Sequence, residues 1–327
     1  MKELYRKIVR SSGKLTDILP IAGVLSVLLV LVGAMLSMIF QRGSLHQRII
    51  ALFTSDEAVG LFLTEYGSFA GIWVLALVIL LIFPSNWPML RAFGYNRRGN
   101  NLKFLLIGLL VGFGANGFCV LMSWIMGDIR LSFNGFDLRT ILGFIIMIFI
   151  QSGGEEISDR LYLYQKLRRR YRSPWVAVIV NSAVFAGMHI GNPGFTAVAG
   201  VQLVLAGLAF SMFIYCYDSL WGAMSFHMAW NFTQNILFGL PNSGVVTRYS
   251  IFKLEAASAR SGLFYNVNFG VEGSIGASLV LAVIIVSMLL RNRGKGERFD
   301  YWAEMEKKLD AKREEKDRLA ERNTTAA

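Results

Sequence analysis

Two adjacent glutamates, Glu155 and Glu156, follow directly on the apolar run 143–150, within the segment Gln-Ser-Gly-Gly-Glu-Glu-Ile-Ser-Asp-Arg at 151–160. A carboxylate in or beside an apolar span is expensive, and by default it marks a functional site. The apolar runs downstream hold few other strongly polar groups: Arg160, Asn181, His189, His227 and Asn231. Glu156 and Arg160 are four apart, as are Asn181 and Phe185, Phe185 and His189, and His227 and Asn231. Residues four apart share one face of a helix. Glu156 is therefore expected to pair with Arg160 and hold the helix. Glu155, turned by roughly 100° on the 3.6-residue period, is left free for chemistry. A carboxylate, two imidazoles and an amide in a secluded pocket make a hydrolytic set. The carboxylate takes a proton from water, and Asn and His donate hydrogen bonds to a developing oxyanion. The same groups suit zinc. With two histidines in these runs no metal is required; if one binds, its ligands are Glu155, His189 and His227. The zinc-protease motif His-Glu-x-x-His is absent, and neither Cys119 nor Cys216 has a motif around it.

These groups need long apolar elements to carry them. The chain is 54% hydrophobic over 327 residues, and several long uncharged runs predict an all-α, polytopic membrane bundle of about eight transmembrane helices. The spans read as 18–40, 68–90, 104–126, one from about 140 through the glutamates, 175–190, 195–217, 220–238 and 273–290. The first is too long for a signal peptide's apolar core and reads as uncleaved. Residues 41–68 read as a mixed external loop. The net charge of +11 lies in short loops and tails between spans, as in a membrane protein, and no nucleic acid is implied. Basic residues gather at 1–17, 91–103 and 160–172. By charge bias these face the cytoplasm, so both termini are cytoplasmic and the protein sits in the cell membrane. At about 1.5 Å per residue, Glu155 lies roughly 20 Å from Arg168, His189 about 22 Å from Pro174 and His227 about 14 Å from Asp218. These depths are comparable, and the groups are expected to converge. Residues 291–327 carry eleven basic and nine acidic residues, with Phe299, Trp302, Met305 and Leu309 at helical spacing. They predict a solvated charged helix with one apolar stripe, or a helix on the membrane surface or a partner. The expected divisions are a tail at 1–17, three helices at 18–138, the helices that carry the polar groups at 139–240, an external loop with the last helix at 241–290, and the charged tail at 291–327.

The pattern Glu155-Glu156-x-x-x-Arg160, then Phe185-x-x-x-His189, then His227-x-x-x-Asn231 resembles the three motifs of the CPBP family. These are the CAAX-protease and bacteriocin-processing membrane endopeptidases, also called Abi proteins. The order matches, each motif falls on its own helix, and the resemblance covers about residues 139–240. The chain departs at Asp159 and Leu161, where family members usually have an aromatic residue and a glycine. The resemblance implies an intramembrane endopeptidase of eight helices with a cavity open to the cytoplasm. In family terms Glu155 activates the water assisted by His189, and His227 and Asn231 stabilise the oxyanion. Glu156, Arg160 and Phe185 support them. The implied partners are the lipid bilayer and a hydrophobic or lipidated peptide. The family has been described both as metalloproteases and as metal-free glutamate proteases.

Two other classes use buried Glu and His. A transporter or proton relay predicts that Glu155→Gln abolishes transport with no peptide cleavage at any stage. Against it, inverted repeats and paired broken helices are not visible. A catalytically silent scaffold or immunity protein predicts that Glu155→Ala keeps its cellular activity.

Overall fold

The computed structural model describes residues 7–294 and 299–325. The expected positions Lys2, Glu3 and Arg6, and Lys295, Glu297 and Arg298 of the charged tail, lie outside the described residues. Of the described residues 71% are helical. Helix α1 is Leu19–Gln41, α2 Ser44–Ala51, α3 Glu57–Gly67 and α4 Ala70–Ile82. Leu102–Ile125 is α5, and α6 runs from Leu138 to Arg170 with a π-helical turn, Ile157–Leu163, inside it. Pro174–Met188 is α7, Ala197–Tyr217 is α8, and α9 is Leu220–Phe232 followed by a π turn at Thr233–Leu237. Ile275–Arg291 is α10 and Tyr301–Thr325 is α11. Among the described residues five helices are long and apolar enough to cross a membrane, which makes this a multi-pass helical membrane protein. Two further apolar helices, α7 and α10, are shorter.

The second span departs from the expected 68–90. The apolar stretch starts at Glu57 and ends at Ile82, offset between α3 and α4. Asp56 starts it early, its side chain accepting a hydrogen bond from Val59 N–H at 3.1 Å. Pro84 ends it early, because proline cannot continue a helix. Residues 41–68 are therefore not mainly loop: α2 and α3 occupy most of them. A second difference is a two-stranded sheet. Strand β1, Leu131–Phe133, pairs antiparallel with β2, Phe252–Leu254, in the register Ser132↔Lys253. It ties the long polar loop after α9 to the loop after α5.

Local chemistry sets the ends of the site-bearing helices. Ser219 caps α9 by accepting from Gly222 N–H at 3.0 Å. Proline at the first position of α7 loses only a donor that a helix start leaves unpaired. Asp218, at φ 54°, turns the chain from α8 into α9 in the left-handed region, which Asp tolerates better than most residues. Helix α9 lies directly against α5, and Gly108 makes the approach possible: a Cβ there would overlap the Gly222 carbonyl oxygen and the Ser225 hydroxyl. Side chains gather where the helices face one another, so 61% of an 18-residue apolar stretch of α6 is buried against 22% of one in α1. The expected charged tail is helical, but its start is not solvated. Trp302 is 3% exposed and Glu306 5%, both docked on the rest of the protein.

Candidate active site

Helix α6 supplies Gln151, Ser152, Glu155, Glu156 and Arg160. Its packing is close at Gly153, where a Cβ would run into the Trp73 indole, and Trp73 Nε1 donates to the Ile150 carbonyl at 2.8 Å. The π turn begins directly after Glu156. Such single-turn insertions recur at functional sites. The Glu156–Arg160 pair is present: Arg160 Nη1 lies 3.1 Å from Glu156 Oε1, and both side chains are fully buried. Arg160 Nη1 also lies 3.5 Å from Asp159 Oδ2, and Nη2 donates to the Gly207 carbonyl at 3.0 Å. Its guanidinium stands 4.9 Å from the Phe185 ring centre and 5.3 Å from that of Phe210. Asp159, the departure from the family motif, thus adds a second carboxylate to the arginine. Leu161 is fully buried.

His227, on α9, bridges the two glutamates. Its Nδ1 lies 3.0 Å from Glu156 Oε1 and its Nε2 3.7 Å from Glu155 Oε2. A carboxylate only accepts, so Nδ1 carries the hydrogen that faces Glu156. The ring stacks on Phe210 with centres 4.7 Å apart and meets the edge of Phe185. His189 caps the end of α7, and its Nδ1 donates to the Phe185 carbonyl at 2.8 Å. In the neutral ring that leaves Nε2 as an acceptor. Glu155 Oε1 accepts from Gln151 Nε2 at 2.6 Å, and Glu155 Oε2 has no hydrogen-bond partner although the residue is only 8% exposed. Asn231 Nδ2 donates to Gln151 Oε1 at 3.1 Å and to Ser152 Oγ at 3.3 Å.

Glu155, His189, His227 and Asn231 line one cavity of about 260 Å³, and Phe185 forms part of its wall. Asn181 is not among them. It donates to the Ala177 carbonyl and accepts from Ser211 Oγ, so it is a packing group between α7 and α8. The cavity also takes residues that motif spacing did not single out: Tyr66, Asn242, Ser243 and Glu272. Gln151 was legible, since it lies four before Glu155 on the same face. The loop residues carried no periodic signal. Glu272 accepts from Ser243 N–H and Ser243 Oγ, both at 2.7 Å, and from Trp230 Nε1 at 3.1 Å. Burial pushes its carboxyl above the ordinary range, against the pull of the Ser243 hydrogen bonds and of His189.

The loop residues of the lining, Asn192, Asn242, Ser243, Val245 and Glu272, all come from the end of the bundle opposite the basic cluster. At that other end Arg168 pairs with Asp300 and Arg91 with Asp218. As for metal, no group of three or more His, Cys, Asp or Glu side chains among the described residues is arranged to hold an ion. Glu155, His189 and His227 line the same cavity without forming such a set.

Residues 137–233 match the family model of the type II CAAX prenyl endopeptidase, Rce1-like. Comparison with curated proteins returns no match. The matched stretch contains all three motifs and the helices that carry them, and it supports a protease. The chain thus carries, within a multi-pass helical membrane protein, a Rce1-like domain of the CPBP/CAAX protease family.

Proposed function

We propose that the protein hydrolyses a peptide bond in a membrane-associated or lipidated peptide, with Glu155 as the base. The observation that carries this reading is Oε2 of Glu155, nearly buried and without a hydrogen bond, inside a cavity shared with His189, His227 and Asn231. Glu155 Oε2 takes a proton from a water as its oxygen attacks the scissile carbonyl carbon. The carbonyl oxygen becomes an oxyanion, which accepts from Asn231 Nδ2. The hydrogen bond to Ser152 Oγ, the longer of the two that Asn231 donates, is the one a substrate oxygen displaces. The C–N bond then breaks, and Glu155 returns the proton to the leaving amine. His189, with Nδ1 fixed on the Phe185 carbonyl, offers Nε2 to orient the water. His227, expected beside Asn231 at the oxyanion, has its Nδ1 hydrogen on Glu156, so in the neutral ring Nε2 has none to donate; the Glu156–Arg160 pair, backed by Phe185, holds the ring in place. The donor set among the described residues does not fit a three-ligand zinc site, and no step here runs through a metal.

The same reading takes residues 139–240 as the catalytic unit in an eight-span chain with both termini in the cytoplasm of the cell. In that orientation the loop residues of the cavity lining lie at the end of the bundle away from the cytoplasm. The test uses purified protein in vesicles with a quenched fluorescent, farnesylated peptide that cannot cross the bilayer, alongside membrane peptide profiles from cells with and without Glu155. Cleavage by wild type and none by Glu155→Gln is expected. Identical peptide profiles and no cleavage on either face would sink the protease reading. Cleavage only from the face that carries Arg168 would show that the substrate enters from the basic end.

A further inference from the structure

Between Glu272, in the loop before α10, and Glu155, on α6, stands a row of three side-chain amides. Asn242 Nδ2 donates to Glu272 Oε1 at 3.4 Å and to Asn231 Oδ1 at 3.2 Å. Asn231 Nδ2 donates to Gln151 Oε1 at 3.1 Å, and Gln151 Nε2 donates to Glu155 Oε1 at 2.6 Å. Both ends are carboxylates, and the four donors around Glu272 face its two oxygens as acceptors. An amide has a donating end and an accepting end, so an acceptor at the head of such a row sets the orientation of each amide after it. Glu272 draws the Asn242 NH2 toward itself and Asn231. That NH2 takes the Asn231 oxygen, which leaves the Asn231 NH2 facing Gln151 and the cavity. Asn242 and Glu272 are 9% and 5% exposed, so water does not readily replace these bonds.

Resting on the hydrolytic reading above, we infer that Glu272 and Asn242 are positioning residues: through a directed row of amides they turn the Asn231 NH2 toward the reacting carbonyl, and Gln151 at its end holds the base. The row crosses the edge of the matched stretch, since Glu155 lies within it and Glu272 beyond residue 233. The loop after α9 is thereby part of the machinery and not only a cover.

The exchange Asn242→Asp with Glu272→Gln tests it. The glutamine at position 272 donates to the aspartate at position 242, so the pair is satisfied again. That aspartate now takes the Asn231 NH2, and the Asn231 oxygen faces Gln151. Each single variant is expected to lower both melting temperature and turnover. The double variant is expected to regain part of the melting temperature, that of the restored pair, while kcat on the farnesylated peptide stays about 10²-fold or more below wild type, with KM little changed, as when one oxyanion donor is lost. Recovery of kcat in step with melting temperature overturns the positioning role. An arm independent of any substrate is the cycle Glu272→Gln with Gln151→Leu, two residues that share no hydrogen bond. The row predicts melting-temperature changes that are not additive, and additive changes overturn it. If wild type cleaves nothing but the cycle is coupled, the row stands and the hydrolytic reading fails.

Discussion

The two ends of the helix bundle both gather charge inside a membrane protein, yet they treat it differently. At the basic end Asp17, Asp300 and Glu306 meet a cation or a donor at each carboxylate oxygen. Asp17, fully buried, takes Arg169 at 2.6 Å through each of its oxygens and Lys166 at 3.4 Å. Asp300 takes Arg10 at 2.6 Å and Arg168 on one oxygen, and Trp302 N–H at 3.1 Å on the other. Glu306 takes Arg10 at 3.0 Å and Arg172 at 2.8 Å. At the cavity end two glutamates stand side by side with one arginine, and one oxygen of each, Glu155 Oε2 and Glu156 Oε2, has no hydrogen-bond partner. A buried carboxylate oxygen left without a hydrogen bond is costly, and the one on Glu155 is the oxygen that the proposed base would use. Open oxygens single out the glutamate pair, and position separates its members: Glu155 lines the cavity, while Glu156 is held by Arg160 and His227.

The comparison breaks hardest at Glu155. Glu155→Gln keeps an acceptor for Gln151 and should fold and insert normally, while turnover falls by about 10²–10⁴-fold, the range of a lost general base. Detergent-purified variants, scored separately for melting temperature and cleavage, check this. Should Glu155→Gln stay active while a stable Glu156→Gln is dead, the two glutamates have each other's roles.

Next comes the pair that is saturated on one side. Glu156→Gln leaves Arg160 with Asp159 alone and is expected to lose about 3–5 kcal/mol of stability, the cost of breaking a buried pair. Activity should fall only as the folded fraction falls, which chemical unfolding and an assay on the same sample resolve. Arg160→Met, which strips both Glu156 and Asp159, should be at least as damaging to expression.

At the basic end the expected effects are smaller and leave cleavage untouched. Glu306→Gln removes a charge-assisted link to Arg10, worth about 1.5–3 kcal/mol. Its link to Arg172 adds little, since that side chain is 43% exposed. Limited proteolysis should then cut near the start of α11 sooner than in wild type. A variant that kept its melting temperature but lost turnover would tie this end to catalysis.

Much of the site could be read from the sequence. Glu155, Glu156, Arg160, Phe185, His189, His227 and Asn231 stood out because polar residues in apolar runs are few, and their four-residue spacings fall on helix faces whatever the helices pack against. The membrane class was legible for the same reason: hydropathy is a property of the local run. Span boundaries were less so, because Asp56 and Pro84 moved α3 and α4 earlier than the apolar count suggested. Only the tertiary structure decided that His227 lies between the two glutamates, since helices distant in sequence meet through packing that no single helix encodes. It also decided that Asn181 turns to Ser211 and away from the cavity. It placed Asn242 and Glu272 at the site from a loop without periodicity, and it docked Trp302 against Gln165, 137 residues away in the chain. A repeating pattern announces a helix and its faces; which faces share a cavity, and which loop closes over it, follows only when the helices are packed together.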